Sequence, residues 1–251
     1  MTLLEALAIF AAGLAAGTIN TIVGSGTLVT FPTLLAVGYP AVLANVSNTV
    51  GLVPGSLSGV LGYRRELQGQ LPRLIRLGTA SALGGATGAL LLLWLPAAAF
   101  RAVVPVLIGL GCVLVLAQPW ISRHVHPPAS GPAHGSLLVA FLVFAAGVYG
   151  GYFGAAQGVL LIGILGVGLS ETMQRVNAAK NALALLVNGV AAVIFIIVSQ
   201  VAWLAAGLIA VGSIVGGQLG ATVGRRLPAP VFRGAVAIVG VVAIVKLVFL
   251  D

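Results

Sequence analysis

The sequence predicts an all-α, polytopic membrane protein built from two inverted repeats of five membrane segments each. The first observation is composition: 60% of the 251 residues are hydrophobic and only 6% are charged, and the mean hydropathy is +1.17. A water-soluble domain of this length has no core large enough to bury that much apolar surface. The second observation is a series of apolar runs of about 20 residues, the helix length that crosses a bilayer. The third is a similarity between the two halves of the chain.

Apolar runs separated by turn residues and charges define ten segments. The first run carries Glu5 and lacks a basic leader region, so we interpret it as a retained helix rather than a cleaved signal sequence. The ten segments are approximately Leu3–Val23, Thr27–Gly38, Ala41–Tyr63, Leu74–Leu95, Ala102–Trp120, Ser136–Phe153, Gly158–Leu169, Arg175–Val198, Trp203–Val223 and Val231–Leu250.

The second and seventh segments, Thr27–Gly38 and Gly158–Leu169, are too short for an ordinary crossing. Twelve helical residues cover only about 18 Å, whereas the hydrocarbon is about 30 Å thick. We therefore expect each to be a half-helix or a re-entrant element.

The two halves of the chain are similar in sequence. A shift of 132 residues aligns Gly84–Arg101 with Gly216–Arg233, with nine of eighteen positions identical, and a shift of 134 aligns Phe10–Gly17 with Phe144–Gly151. Self-similarity at a fixed spacing indicates an internal repeat, although a ten-helix protein with accidental similarity is the alternative. The predicted units are an N-terminal repeat over residues 1–121, a cytoplasmic linker over 122–135 and a C-terminal repeat over 136–251.

The cations predict the orientation in the membrane. Four arginines fall in Arg64–Arg76, which we place in the cytoplasm because short cytoplasmic loops are enriched in Lys and Arg. The equivalent loop, Ser199–Trp203, has no charge. With both termini outside, ten of the 12 cations lie on or near the cytoplasmic face, all except Arg101 and Lys246. The bias changes side between equivalent loops, which favours inverted halves.

An inverted repeat with one short, glycine-interrupted segment in each half is typical of a secondary transporter, whose substrate site lies at the repeat interface. Asn20–Thr27 and Gly154–Val159 would each end one helix and begin a half-helix, and the 134-residue shift pairs Gly24 with Gly158. Helix N-termini bind anions through free N–H groups and partial positive charge. The alternative for glycine is close helix packing, which we favour for the Gly-x-x-x-Gly pairs at 13/17, 147/151 and 216/220. The predicted anion-binding residues are Asn20, Gly24, Ser25, Gly26, Thr27, Asn45, Asn48, Gln157, Gly158, Asn177 and Lys180.

Lys180 lies about one and a half turns inside the eighth segment. A shift of 132 aligns it with Asn48, and Asn177 with Asn45. A cation buried in a membrane needs a partner, and the four acids, Glu5, Glu66, Glu171 and Asp251, all lie near segment ends. Lys180 therefore either faces a bound anion or extends to the cytoplasmic surface. Interhelical hydrogen bonding is an alternative role for Asn48, Asn177 and Asn181, and it is the role that we favour for Asn188.

Other chemistry has little support in the sequence. Cys112 is alone, and His124, His126 and His134 fit no compact ligand set, so no metal or cofactor is expected. The cations form no basic stripe with interleaved aromatics, which argues against nucleic acid. Four separated carboxylates and no histidine inside a segment argue against a membrane-embedded enzyme. A structural or insertase-like scaffold would not require broken helices.

The residues that carry a family resemblance are Ile19–Arg65 and the weaker repeat Gly150–Ile194. Together they resemble the TauE/SafE sulfite exporter family over essentially the whole chain; the family's glycine motif corresponds to Gly24–Thr27, and its second-half lysine to Lys180. The resemblance implies a multi-pass permease of the bacterial inner membrane for a small sulfur-containing anion such as sulfite, sulfoacetate or thiosulfate. Sulfite export by alternating access is the leading expectation, with thiosulfate or organosulfonate uptake as the rival. Glycine-rich faces are compatible with a homodimer.

Overall fold

The computed structural model describes residues 1–124, 135–222 and 229–249, and every regular element within them is a helix. Each helix corresponds to one predicted segment, so the predicted all-α fold is confirmed. Most of the predicted linker, including His126 and His134, lies outside the described residues. The helices are α1 (Leu3–Ile22), α2 (Thr27–Ala36), α3 (Ala41–Gly62), α4 (Leu71–Trp94), α5 (Ala97–His124), α6 (Leu137–Tyr152), α7 (Gln157–Gly168), α8 (Met173–Val198), α9 (Trp203–Thr222) and α10 (Ala229–Phe249).

The lengths of the helices separate spanning elements from short ones. Within the described ranges, α1, α4, α5, α8 and α9 are long and apolar enough to cross a membrane. Helix α3 has 22 residues but carries buried Asn, Ser and Thr side chains, which make it more polar. Helices α2 and α7 have only 10 and 12 residues, as predicted for half-helices.

Six helices form two groups of three. Helices α1, α3 and α9 pack together, α4, α6 and α8 pack together, and α3 also packs on α8. In the first group Gly13 lies against Ile209 and Gly17 against Ser213, so α1 and α9 run in the same direction. Exchanging α1 with α6, α3 with α8 and α4 with α9 converts one group into the other. Exchanging α2 with α7 and α5 with α10 likewise relates the contact of α10 with α2 to that of α5 with α7.

Glycines make the close contacts inside these groups. A Cβ on Gly17 would lie 2.3 Å from the carbonyl oxygen of Ser213, and one on Gly88 would lie 2.0 Å from that of Val148. No side chain fits at such distances, which is how small residues allow helix backbones to approach in membranes. The three Gly-x-x-x-Gly pairs pack in this way within one chain, so they give no support to the homodimer with which the sequence is compatible.

Aromatic side chains mark both the interior and the ends of the bundle. Phe31 packs edge-to-face on Phe153, with ring centroids 5.1 Å apart, and joins α2 to the turn after α6. Trp94 and Trp203 are 90% and 61% exposed at the end of α4 and the start of α9. Exposed Trp at helix ends is typical of a membrane–water interface. The bundle therefore presents an apolar outer surface with an aromatic rim.

Candidate functional site

The turn between α1 and α2 meets the turn between α6 and α7 at a contact of Gly24 with Gly158. The N–H of Gly158 donates to the carbonyl of Gly24 at 3.0 Å, and a Cβ on Gly24 would lie 2.4 Å from the Cα of Gly158. Gly24 also has a φ of +86°, a left-handed conformation that glycine adopts without steric penalty. The structure thus brings the two predicted tips together, backbone against backbone.

Gly24 and Gly158 are contact partners, not equivalent residues. The N–H of Gly24 donates to Ile19 and closes α1, and the N–H of Gly154 donates to Tyr149 and closes α6 in the same way. Both closing glycines have positive φ, +86° and +77°. Gly154 is therefore the counterpart of Gly24, and the pairing of Gly24 with Gly158 by the 134-residue shift is wrong.

The 134-residue shift fails at Gly24 because the first helices of the two halves differ in length. Helix α1 continues five residues past Gly17, to Ile22, whereas α6 ends at Tyr152, one residue past Gly151. The first half therefore has four additional residues, Ile19–Ile22, which we call the extra turn of α1. This turn contains Asn20, one of the predicted site residues.

Three side chains of α8 donate to the carbonyls of the extra turn. Lys180 Nζ lies 3.1 Å from the carbonyl oxygen of Asn20 and 3.4 Å from that of Thr21. Asn177 and Asn181 donate through Nδ2 to the same Thr21 carbonyl at 3.3 and 3.4 Å. Lys180 is 0% exposed, so it does not extend to the cytoplasmic surface. The last carbonyls of a helix lack intrahelical donors and carry partial negative charge, which explains why a cation is stable there.

Asn45 makes the reciprocal contact in the other half. Its Nδ2 donates to the carbonyl of Tyr152, the last residue of α6, at 3.0 Å. Asn177, its equivalent by the 132-residue shift, donates to Thr21 near the end of α1. Each asparagine therefore caps the first helix of the opposite half.

Asn48 and Asn20 act mainly through hydrogen bonds between helices. Asn48 Oδ1 accepts from the hydroxyl of Thr30, and Asn48 Nδ2 donates to Thr27 Oγ1 at 3.2 Å. Both ends of the Asn48 amide thus hold the first turn of α2 against α3. The side chain of Asn20 donates to Ser56 at 3.4 Å. Asn188, which we predict to make such a bond, makes no side-chain hydrogen bond among the described residues.

The two half-helices begin without side-chain caps, but their N–H groups differ. At the start of α2, the N–H groups of Leu28, Val29 and Thr30 bond to carbonyls of the preceding turn, while those at 25–27 make no hydrogen bond within the described ranges. At the start of α7, Ala156 is left-handed, with a φ of +61°, and the Gly158 N–H is bonded to Gly24. More unpaired donors therefore lie at α2.

Four buried side-chain atoms in the described part of the chain lack a hydrogen-bond partner. They are Ser25 Oγ, Asn45 Oδ1, Gln157 Nε2 and Asn177 Oδ1, and all four belong to the predicted site. Ser25 and Asn45 are 0% exposed and Gln157 is 3% exposed. An unpaired buried polar atom is destabilising by about 1–3 kcal/mol, so such atoms call for an explanation: an ordered water, a bound ion or a functional role. The set contains acceptors and potential donors.

The ion pairs of the described residues lie away from the glycine turns. Glu171, in the α7–α8 loop, binds Arg73 Nη1 at 3.0 Å and Arg175 Nε at 2.6 Å. Burial raises the pKa of the Glu171 carboxyl, but hydrogen bonds and charges of Arg175 and Arg73 outweigh it, so the pKa lies below its usual value. No described carboxylate pairs with Lys180, and no group of His, Cys, Asp and Glu in these ranges could hold a metal.

Comparisons with known proteins agree with this architecture. A family model described as "Sulfite exporter TauE/SafE" matches residues 9–247. A "Probable membrane transporter protein" of Haemophilus influenzae is 27% identical over 242 residues, covering 96% of this chain and 93% of the relative. "Probable membrane transporter protein YfcA" of Escherichia coli K12 is 24% identical, with 96% and 88% covered. "Probable membrane transporter protein ORF9" of Sinorhizobium sp is 25% identical, with 95% and 90% covered.

Proposed function

Because this chain belongs to the sulfite exporter TauE/SafE family, we propose that it exports sulfite or a closely related small sulfur-containing anion across the bacterial inner membrane. The family and its named relatives are membrane transporters and not enzymes. The proposal adds the substrate, the direction and the site: the anion binds where the starts of α2 and α7 meet.

The main support for this binding site is the group of unpaired polar atoms beside the Gly24–Gly158 contact. Ser25 follows Gly24 and Gln157 precedes Gly158, and each has a buried polar atom without a partner. The unbonded N–H groups at 25–27 add backbone donors at a helix N-terminus, where anions are favoured. An oxyanion accepts hydrogen bonds from several directions and so matches this donor set.

Lys180 supplies the positive charge. It is fully buried, and its aliphatic stem lies beside the glycine contact, since a Cβ on Gly158 would be 3.1 Å from Lys180 Cδ. Buried charges in membranes are paired or mark a substrate pathway. One cation beside a glycine junction favours a small, compact anion over a longer organosulfonate, while thiosulfate uptake remains the rival activity.

Alternating access between two inverted halves, 1–121 and 136–251, is the proposed mechanism. The symmetric exchange of packing partners between the halves supports it, because inverted repeats commonly rock about a fixed central site. We propose that the arginine-rich end, with Arg64, Arg65, Arg73 and Arg76, faces the cytoplasm and that both termini lie outside, because short cytoplasmic loops are enriched in Lys and Arg. Export of an anion from a negative interior gains about 2.3 kcal/mol per charge per 100 mV.

Sulfite flux from proteoliposomes, together with thermal melting, tests the proposal. Ser25→Ala and Gln157→Leu should each lower flux by about tenfold without lowering the melting temperature, because each removes an unpaired buried group rather than a made hydrogen bond. Ser81→Ala is the matched control: its buried hydroxyl donates to Leu183, so it should keep flux and lose about 1 kcal/mol of stability.

Wild-type flux in both Ser25→Ala and Gln157→Leu would contradict an anion-binding site at the glycine junction. Sulfite that neither crosses the membrane nor raises the melting temperature of the wild-type protein would overturn the substrate assignment. Thiosulfate and sulfoacetate, tested in the same assay, would then show whether the protein transports one of these anions instead.

A further inference from the structure

A cavity of about 690 Å³ opens at the arginine-rich end, where α3 and α9 finish. Its described lining includes Arg64, Arg65, Glu66, Gln218 and Thr222. Both arginines are exposed, and neither guanidinium group makes a hydrogen bond or ion pair among the described residues. Two guanidinium groups outweigh the one carboxylate, so the described wall has a net positive charge.

The floor of this cavity is a close contact between α3 and α9. A Cβ on Gly62 would lie 2.3 Å from the Cβ of Ala221. One turn deeper, Thr21 fills the groove: a Cβ on Gly59 would lie 2.7 Å from Thr21 Oγ1, and one on Gly220 would lie 2.9 Å from Thr21 Cβ. Thr21 is 4% exposed, and its carbonyl accepts from Lys180. The extra turn of α1 therefore stands between the cavity and Lys180.

We propose that this cavity is a vestibule that collects the oxyanion on the cytoplasmic side, and that the extra turn of α1 is the barrier that moves to connect it with Lys180. This inference rests on the proposed function. A cleft lined by one sign of charge concentrates ions of the opposite sign and speeds their arrival, and guanidinium groups match the geometry of oxyanions. Movement of the turn also frees the Lys180 ammonium from the carbonyls of Asn20 and Thr21, so the same step opens the path and exposes the charge.

Vesicles of defined orientation test the vestibule. In everted vesicles, Arg64→Gln combined with Arg65→Gln should raise the KM for sulfite by about threefold or more with kcat nearly unchanged, since steering acts on arrival. In right-side-out vesicles the same variant should keep the KM of the wild type. Arg76→Gln is the matched control, because Arg76 is exposed at the same end and does not line the cavity.

A transport-independent measurement uses Thr222→Cys in a Cys112→Ser background. Relative to their rates with a free thiol in solution, an anionic methanethiosulfonate reagent should be favoured over a cationic one at this cysteine, and neutralising Arg64 and Arg65 should abolish that preference. An unchanged preference, or an unchanged KM in everted vesicles, overturns the vestibule. Failure of the wild type to transport sulfite overturns the proposed function instead. The reagent preference still tests whether the cavity attracts anions, because it does not depend on transport.

The barrier has its own test in Thr21→Cys in the same background, a change that replaces the hydroxyl by a thiol and removes one methyl group. The buried thiol should react slowly with an alkylating reagent without substrate and severalfold faster with sulfite present during turnover. Because sulfite itself consumes thiol reagents, each rate is divided by that of the exposed cysteine in Thr222→Cys, labelled under the same conditions. A labelling rate that sulfite does not change, in a variant that still transports, overturns the barrier.

Discussion

The ammonium nitrogen of Lys180 lies 3.1 Å from the carbonyl oxygen of Asn20, so a fully buried cation closes the C-terminal end of α1. A helix C-terminus carries only about half an elementary negative charge. The carbonyls therefore offset part of the lysine charge, and an anion in contact with Lys180 would offset the rest. The carbonyls of Asn20 and Thr21 are the hydrogen-bond partners of Lys180, which pairs with no carboxylate in the described part of the chain.

Replacing Lys180 by Met should remove transport while leaving most of the fold intact. The variant loses the charge that attracts the anion, so we expect flux to fall by at least about tenfold, with a stability loss of about 1–3 kcal/mol from the unpaired carbonyls. Sulfite flux and melting temperature are measured on the same preparation. Asn181→Leu is the control, because it also removes a donor to Thr21 but leaves the charge; a similar loss of flux in both would show that capping, not charge, is needed.

Adding a methyl group at the glycine junction should destabilise the protein. Gly24→Ala places a Cβ 2.4 Å from Gly158 Cα at a φ of +86°, and we expect a loss of about 1–3 kcal/mol from overpacking, with further backbone strain. Gly189→Ala, at a helical position with nothing within 4 Å, should be neutral or stabilising by up to about 1 kcal/mol. Thermal melting in detergent compares them; equal melting temperatures would contradict the tight contact.

The Glu171 ion pairs should make stability depend on acidity. Because the folded-state pKa of Glu171 lies below its ordinary value of 4.5, its contribution is present above the unfolded pKa and is lost as the pH falls through the folded one. We expect Glu171→Gln to lose about 1 kcal/mol at neutral pH, and the difference from wild type to shrink in acid. Melting temperatures between pH 3 and pH 7 measure this. In a double-mutant cycle with Arg175→Met, purely additive effects would contradict a direct interaction.

Asn48→Leu should loosen the docking of α2 on α3. The change leaves the hydroxyls of Thr27 and Thr30 without their amide partner, so we expect a loss of about 1–3 kcal/mol. Melting temperature and protease sensitivity of the α2 segment report the effect. Asn188→Leu is matched in chemistry and should have little effect, since Asn188 makes no side-chain hydrogen bond among the described residues; equal losses would contradict the Asn48 assignment.

The helices were predictable because apolar runs, glycine and proline carry the information about where membrane segments begin and end. The main discrepancy is the start of α5, at Ala97 rather than Ala102. Pro96 fits just before a helix, where its missing N–H costs nothing, whereas the prediction treated Arg101 as part of a loop. The helix simply continues through this charged residue, which is exposed.

The candidate site was predictable in residue type but not in partners. Asparagine, serine and lysine at membrane depth stand out because each is costly there. The partners of Lys180 are backbone carbonyls, which every residue has, so nothing in the sequence identified Thr21. The counterpart of Gly24 was also missed, since the shift of 134 residues holds up to Gly17 and changes only where α1 gains four residues.

The extra turn of α1 also bears on the resting preference of the transporter. In an inverted architecture with two identical halves, the inward-facing and outward-facing forms would be related by a two-fold rotation and equal in free energy. A turn present in only one half breaks that degeneracy, because its hydrogen bonds to Lys180, Asn177 and Asn181 have no full counterpart on the opposite side. The ends of α1 and α6 are consequently held by unequal sets of hydrogen bonds.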